Sequence, residues 1–460
     1  MSGISSTIAM SSMTIKIWLL AATPRFLKPY WDRVEASPLG YRLAKGAFWS
    51  LAGALMSRAL GLVSSILVAR MLGKVGFGEL GVIQSSVGMF GTFAGFGLGL
   101  TATKHVAEFR AKDPVRAGRI IALSSLVSWG TGGAMAVLLF VLAPWLAAHT
   151  LAAPHLGGLL RIGSLLLLLG AINGAQTGAL AGFEAFKRIA SINLIAGIAA
   201  FPLMVGGTWW RGLEGSLLGL IASQALNCLL SFHGLREEAR RAGVPLAYAG
   251  ASREWNVLWR FSLPALLGGV MVGPVYWVCN TLLVNQPDGY GQMGLFNAAN
   301  QWFGALLFLP GILGQAALPV LSERLGENDA MRSGKVLSFY IKLNAVVVMP
   351  LVLLGCLASP WIMASYGTGF REAWPILVVV LVTAALLAVQ TPVGQIIAAS
   401  GRMWLGSVMN LGWAVCFIGL TWGFIHWGAL GLAGARCGAY LAHAAWTFAF
   451  ALLLLRRARE

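Results

Sequence analysis

The chain has 460 residues, of which 58% are apolar and 11% charged, and its mean hydropathy is +0.76. A soluble domain carries about 25% charged residues, so a soluble globular enzyme is excluded and lipid must surround most of this chain. The formal net charge of +17 would suit a nucleic-acid partner, but its placement along the chain points to membrane topology instead.

A spanning helix takes about 20 apolar residues. About twelve such stretches are legible, at approximately 46–69, 79–102, 120–143, 157–181, 190–209, 214–235, 261–284, 292–318, 336–358, 374–398, 404–425 and 429–455. Residues 1–44 precede them as a cytoplasmic or interfacial lead-in. The apolar run 15–22, flanked by Lys16 and Pro24, is too short to span and poor as a cleavable signal, so the first span acts as an uncleaved one. The expected organisation is an all-α polytopic protein. An N-terminal six-helix bundle over 45–235 is followed by a basic cytoplasmic connector over 236–260, a C-terminal bundle over 261–455 and a basic tail over 456–460. The 58 glycines fit membrane helices, where small residues let backbones approach.

Most of the 33 lysines and arginines fall in the N-terminal segment, the even-numbered connections and the tail. Lys104, Arg110, Lys112, Arg116 and Arg119 occupy the first such connection, and Arg236, Arg240, Arg241, Arg253 and Arg260 lie in or beside the connector. Arg70, Lys74, Arg211 and Arg371 remain on the other face. This is the positive-inside pattern, and it places both termini in the cytoplasm, with no nucleic-acid partner. The five cysteines are widely spaced in apolar stretches, without the spacing of a disulfide framework or zinc site.

The chain repeats itself. Gly76-Phe77-Gly78-Glu79-Leu80-Gly81 precedes the second span and Gly289-Tyr290-Gly291-Gln292-Met293-Gly294 the eighth, an offset of 213. Asp113-Pro114-Val115-Arg116-Ala117-Gly118-Arg119 and Asp329-Ala330-Met331-Arg332-Ser333-Gly334-Lys335 follow those spans at an offset of 216. Gln176 with Gly182 and Gln395 with Gly401 close the fourth and tenth at 219, and Asn193 and Asn410 correspond at 217. Six spans per repeat is an even number, so the halves insert with the same orientation. They form parallel repeats around a central cavity, the arrangement that supports alternating access.

Arg58 lies near the middle of the first span, where an arginine costs roughly 2.5–3.5 kcal/mol to insert. It must face water or an anion in the bundle interior, or tie helices through carbonyl contacts. Gly53, Ser57, Gly61 and Ser65 form a small-residue stripe beside it. Arg161, Lys342 and Arg436 lie within about two turns of span ends, so snorkelling to the interface competes with cargo contact. Span interiors hold these four cations and essentially no acid, since Glu79 and Glu214 stand at span ends. A cavity lined this way favours an anionic cargo, phosphate above all. Asn173, Gln176 and Thr177, and Asn297, Asn300 and Gln301, recur at i, i+3, i+4. Such faces suit hydrogen bonding to sugars and helix–helix glue equally.

Both GxGxxG matches open membrane helices, without the strand before or the acid after that a dinucleotide loop needs. The histidines never pair at metal spacing, and neither HExxH nor GxSxG occurs. The outer connections are too short and too poor in acids for a membrane glycosyltransferase, so the expectation is a protein that is not an enzyme. No cofactor is indicated, although a coupling ion of unknown identity is compatible with the pattern.

Ser57-Arg58-Ala59-Leu60-Gly61, Ala69-Arg70-Met71-Leu72-Gly73, Gly76-Phe77-Gly78, and Gly97-Leu98-Gly99 before a basic loop resemble bacterial polysaccharide-biosynthesis flippases. These are the Wzx-type members of the multidrug/oligosaccharidyl-lipid/polysaccharide exporter superfamily. The resemblance implies a V-shaped pair of bundles with a cationic central cavity. Such a protein moves a polyprenyl-diphosphate-linked oligosaccharide from the cytoplasmic to the periplasmic leaflet of the bacterial inner membrane, and polysaccharide polymerase machinery is a possible partner. Arg58 falls where related peptidoglycan-precursor flippases carry a cavity arginine. Those relatives often have a second arginine six residues on, where this chain has Ser64, and they tend to carry two further C-terminal helices. Both departures favour an exopolysaccharide or O-antigen cargo. The alternatives are a cation-coupled drug exporter of the same superfamily, which needs a carboxylate within the membrane, and a non-transporting partner of a polysaccharide synthase.

Overall fold

The structure, a computed structural model, describes the backbone of residues 38–246, 248–326, 330–399 and 403–457. Side chains are described from Gly53 on, apart from most of 312–336, 395–403 and 454–460 and a few within 264–268. Most of the expected lead-in over 1–44 and the end of the tail lie outside the described residues. The chain divides into two compact units, Met1–Leu55 and Met56–Glu460. In the first, the described backbone is helical from Pro38; all that follows concerns the second.

Every regular element among the described residues is helical. The helices are α1 (Pro38–Gly95), α2 (Leu98–Phe109), α3 (Pro114–Trp145), α4 (Gly157–Gly163), α5 (Leu165–Gly182), α6 (Phe186–Arg241), α7 (Leu263–Gly269), α8 (Val272–Val284), α9 (Gly289–Gly326), α10 (Ala330–Ser365), α11 (Trp374–Ala399), α12 (Met403–Phe424) and α13 (Gly428–Arg457). Seven stretches of the described residues are long and apolar enough to cross a membrane, and Val272–Val284 is a shorter apolar helix. Three of the seven double back on themselves. Gly73 reverses α1 with φ 69°, ψ 179°, a conformation essentially closed to residues with a Cβ. Arg211 and Gly212 do the same in α6, where Gly212 has φ 55°. The arms of α6 then run so close that a Cβ on Gly207 or Gly215 would strike the other's carbonyl, and one on Gly219 would strike that of Leu203. In the third, a short turn at Ile425–Trp427 joins α12 to α13.

In lipid the hydrophobic effect does not press helices together, so association rests on close packing and on polar bonds between helices. The repeated glycine motif supplies the packing. A Cβ on Gly78 would meet the Tyr290 carbonyl, one on Gly294 the Lys74 carbonyl, and one on Gly81 the Asn297 side chain. Residues near 78 therefore touch residues near 291, the separation by which the motif repeats. Equivalent segments meet each other, as across a twofold axis.

At this end of the molecule one buried cluster runs from Val68, Phe77, Leu80 and Leu217 to Val275, Met293, Phe296, Tyr366 and Phe417. Polar contacts reinforce it. Lys74 pairs with Asp288 at 2.7 Å, Arg70 Nε donates to the Ser365 carbonyl at 2.6 Å, and Tyr290 donates to the Leu151 carbonyl at 2.7 Å. Toward the opposite, basic end the large cluster gives way to smaller ones, although α2 still meets the chain just before α7: the Thr101 and Ser262 hydroxyls are 2.7 Å apart, and a Cβ on Gly97 would strike the Ser262 carbonyl. Ala102, Val106, Ile121, Leu180 and Leu235 form one cluster, and Leu337, Val393, Ile397 and Ala451 another. There Asp113 caps α3 by accepting from the Arg116 amide at 3.0 Å, with Pro114 in the first turn, a strong helix-start pair. Its repeat counterpart Asp329 lies outside the described residues.

The basic stretch expected as a connector starts as helix, since α6 continues to Arg241. After it, Glu254 is buried between Arg116 and Arg119, at 3.0 and 3.5 Å. This ties residues 251–254 to the start of α3.

Candidate functional site

Beside the joined end lies a cavity of about 400 Å³. The first arm of α1 supplies Ser57, Arg58, Gly61, Ser64, Ser65 and Val68, and the second arm supplies Phe77, Leu80 and Gln84. Gly197, Phe201 and Met204 come from α6, and Gln301 and Ala305 from α9. The small residues of α1 recur at intervals of three and four, which puts them on one helical face. They leave the space that larger side chains would fill. α6 lies against this face because Gly197 has no Cβ to strike Ser57 Oγ, and that hydroxyl donates to the Asn193 carbonyl at 3.3 Å.

Among the described residues that line the cavity, none is a carboxylate and Arg58 is the one cation. Its guanidinium carbon lies 5.4 Å from the centroid of the Phe308 ring, a cation–π contact that holds the side chain without neutralising it. The Ser64 and Ser65 hydroxyls are buried and have no hydrogen-bond partner among the described residues. A planar fork of N–H donors with permanent charge matches the oxygens of a phosphate. Hydroxyls and the amides of Gln84 and Gln301 add neutral donors and acceptors around it. Chemically the cavity can hold an anion with a polar neighbour.

Residues 43–325 match the family described as polysaccharide biosynthesis protein. The chain belongs to that family. It is 25% identical over 378 residues, 80% of this chain and 84% of the relative, to the EPS I polysaccharide export inner membrane protein EpsE of Ralstonia nicotianae. It is 24% identical over 428 residues, 90% of this chain and all of the relative, to the lipid III flippase of Escherichia coli. A solved inward-facing structure of a multidrug resistance MATE family transporter of the MOP superfamily shares the fold. The TM-score is 0.73 at 16% identity, over 90% of this chain and 99% of that one.

Within this polysaccharide biosynthesis family member, the residues expected to contact cargo occupy different places. Arg58 and Gln301 line the cavity. Arg161 is exposed, its guanidinium 5.2 Å from the Phe140 ring and its Nε donating to the Phe140 carbonyl at 3.4 Å. Lys342 is exposed on α10. Both fit the snorkelling geometry of long cationic side chains. The amide stripes bind helices. Ser231 donates to Asn173 at 3.2 Å and Cys228 to Gln176 at 3.5 Å, which links α5 to α6. Asn297 donates to the Phe77 carbonyl at 3.3 Å, under Gly81.

Arg436 is 1% exposed, although it lies only two turns into α13. Its Nη1 donates to Asn300 Oδ1 at 2.7 Å, and its guanidinium carbon lies 4.3 and 5.1 Å from the rings of Phe303 and Phe296. Nε and Nη2 are buried with no hydrogen-bond partner among the described residues. Gln84, Ser64 and Phe308 were not anticipated as site residues. A lone amide in a span has no periodic partner to reveal it, and Phe308 is one of 22 phenylalanines.

Proposed function

We propose that this protein is a flippase that moves a polyprenyl-diphosphate-linked oligosaccharide from the cytoplasmic to the periplasmic leaflet of the inner membrane, for exopolysaccharide or O-antigen assembly. The observation that carries it is Arg58, a cation without a carboxylate partner among the residues lining a cavity in a membrane-spanning bundle. Family membership and relatives named as a polysaccharide export protein and a lipid III flippase support the same cargo class. Arg58 engages the diphosphate, with Gln301, Gln84, Ser64 and Ser65 beside it. The lipid tail stays in the bilayer, because the cavity need take only the head. Arg161 and Lys342 act at the approach to the cavity, and Asn173, Gln176, Asn297 and Asn300 set the helix positions around it.

In this arrangement twelve passes form two parallel six-helix halves, 45–235 and 261–455, joined by 236–260. The basic end faces the cytoplasm with both termini, and the joined end faces the periplasm. Cargo enters from the cytoplasmic side and leaves when the contacts at the joined end part. The chain is a transporter and not an enzyme, and its partners are the bilayer, the lipid-linked glycan and the polymerase machinery rather than nucleic acid. A cation-coupled drug exporter fits less well, because the described residues of the cavity lining include no carboxylate for the ion or a cationic drug.

The test is a deletion strain complemented with wild type or Arg58→Ala. Diphosphate-linked glycan accumulates on the cytoplasmic leaflet of the deletion strain, and only wild type clears it. Normal surface glycan with no accumulation would sink the proposal.

A further inference from the structure

A second cavity, of about 160 Å³, lies among the later helices. Met271 and Val272 at the start of α8, Asn410 and Trp413 of α12, and Tyr440 and His443 of α13 line it. It lies in the second half of the chain, and its lining matches that of the Arg58 cavity in the repeat at one position. Met271 stands 213 residues after Arg58, the offset of the glycine motif. The first, fifth and sixth passes contribute to one cavity together with the second and eighth, and the seventh, eleventh and twelfth to the other together with the tenth.

The chemistry of the two differs. In place of a guanidinium, the second cavity has an aromatic wall. The Trp413 ring lies 5.5 Å from that of Tyr440 and 6.0 Å from that of Tyr276, and the two tyrosine hydroxyls are 3.1 Å apart. Trp413 is 4% exposed, and its Nε1 is buried with no hydrogen-bond partner among the described residues. An indole N–H can only donate. His443 Nε2 is in the same position. The Gln390 amide donates to His443 Nδ1, which leaves the ring proton on Nε2. Two buried donors without acceptors carry a desolvation cost, and a ligand oxygen would remove it.

Charge decides what kind of ligand. No carboxylate is among the described residues that line this cavity. Arg436 sits one turn before Tyr440 on α13, buried and bonded to the neutral Asn300. Its positive potential works against a cation, even beside aromatic rings. A pyranose meets the remaining requirements. Its C–H face packs on aromatic rings whose faces are negative, and its hydroxyl oxygens accept from Trp413 and His443. The two cavities are also linked through the protein. Gln301 lines the first, its neighbour Asn300 accepts from Arg436, and Tyr440, one turn on from Arg436, lines the second.

We propose that this second cavity binds a sugar ring of the lipid-linked cargo, while the Arg58 cavity holds its diphosphate. The proposal rests on the flippase reading. It is tested with the full chain in nanodiscs, by binding polyprenyl diphosphate either bare or carrying one glucose or one galactose. Wild type should bind a sugar-bearing lipid about tenfold more tightly than the bare one, the worth of roughly one net hydrogen bond with its stacking. Trp413→Phe and His443→Ala should each erase most of that gain and keep the affinity for bare polyprenyl diphosphate, which also reports that the variant is folded. Arg58→Ala should weaken all three ligands together. A sugar gain that survives both variants, or no gain in wild type with either sugar, overturns the second site. If none of the three lipids binds wild type, the flippase reading itself fails.

Discussion

At the scale of single residues, the first question is what a cation inside a membrane helix is for. Arg58 answers it by position: it lines a cavity with no acid among its described lining residues. Arg58→Ala should weaken binding of bare polyprenyl diphosphate by about tenfold to a hundredfold, as expected for loss of charged hydrogen bonds. Arg58→Lys should recover part of this, since lysine keeps the charge and loses the fork. Arg436 is the opposite case, fully buried with two guanidinium nitrogens unpaired. Replacing a buried charge with an apolar side chain of similar volume is often stabilising. Arg436→Met should therefore raise the thermal unfolding temperature in detergent while transport falls, the trade-off expected of a residue kept for function. A lower unfolding temperature would show instead that the Asn300 bond outweighs the desolvation cost.

These two residues also mark what was legible in the sequence. Arg58 stands out in the sequence because a charge at mid-span has few harmless explanations. Arg436 lies close enough to its span end that snorkelling was equally reasonable, and only the packing of Phe296 and Phe303 around it shows otherwise. Arg161, about one turn into its helix, turns outward to Phe140. Sequence distance from a span end does not by itself fix burial, which is set by the neighbouring helix.

At the scale of elements, glycine governs how closely helices meet. The Gly78 and Gly294 positions would place a Cβ on backbone atoms of the facing helix, which cannot move aside. Overpacking of this kind costs about 1–3 kcal/mol, so Gly78→Val should lower thermal stability clearly. Gly130 has no heavy atom within 4 Å of a built Cβ. Gly130→Ala should be neutral or stabilising by about 0.5–1 kcal/mol, the helix-propensity difference. Equal effects of the two substitutions would contradict the close contact between α1 and α9.

The all-helical membrane fold is readable from hydropathy, and the repeat from its spaced motifs. The role of the amide stripes is not. Asn173 and Gln176 have the spacing of a ligand-binding face, yet they meet Ser231 and Cys228 of α6. Helical periodicity shows which residues share a face and leaves open what that face meets.

For the whole molecule, the asymmetry between the two ends is the main feature. One large core bridges early and late helices at the Gly73 end, whereas the basic end holds smaller clusters and a smaller bridge, the 2.7 Å contact of the Thr101 and Ser262 hydroxyls. Alternating access requires the joined end to open. Lys74 and Asp288 mark that junction, and their pair is about half exposed, 40% and 47%. It contributes on the order of 0–1 kcal/mol at most, weak enough to break in each cycle. Lys74→Cys with Asp288→Cys, in a background without the five native cysteines, should stop transport when bridged by a short reducible crosslinker. Reduction should restore it. Transport that continues through the crosslink would mean that this end does not open.

Transbilayer movement of a diphosphate-linked sugar lipid is tested most directly by reconstitution. Purified protein is placed in liposomes loaded with polyprenyl diphosphate carrying a single hexose. The fraction of that lipid open to a membrane-impermeant oxidant of the sugar is then followed over time. Wild type is expected to expose nearly all of the lipid, and Arg58→Ala only the half that starts in the outer leaflet. If wild-type liposomes also stop at half, this protein does not flip such a lipid.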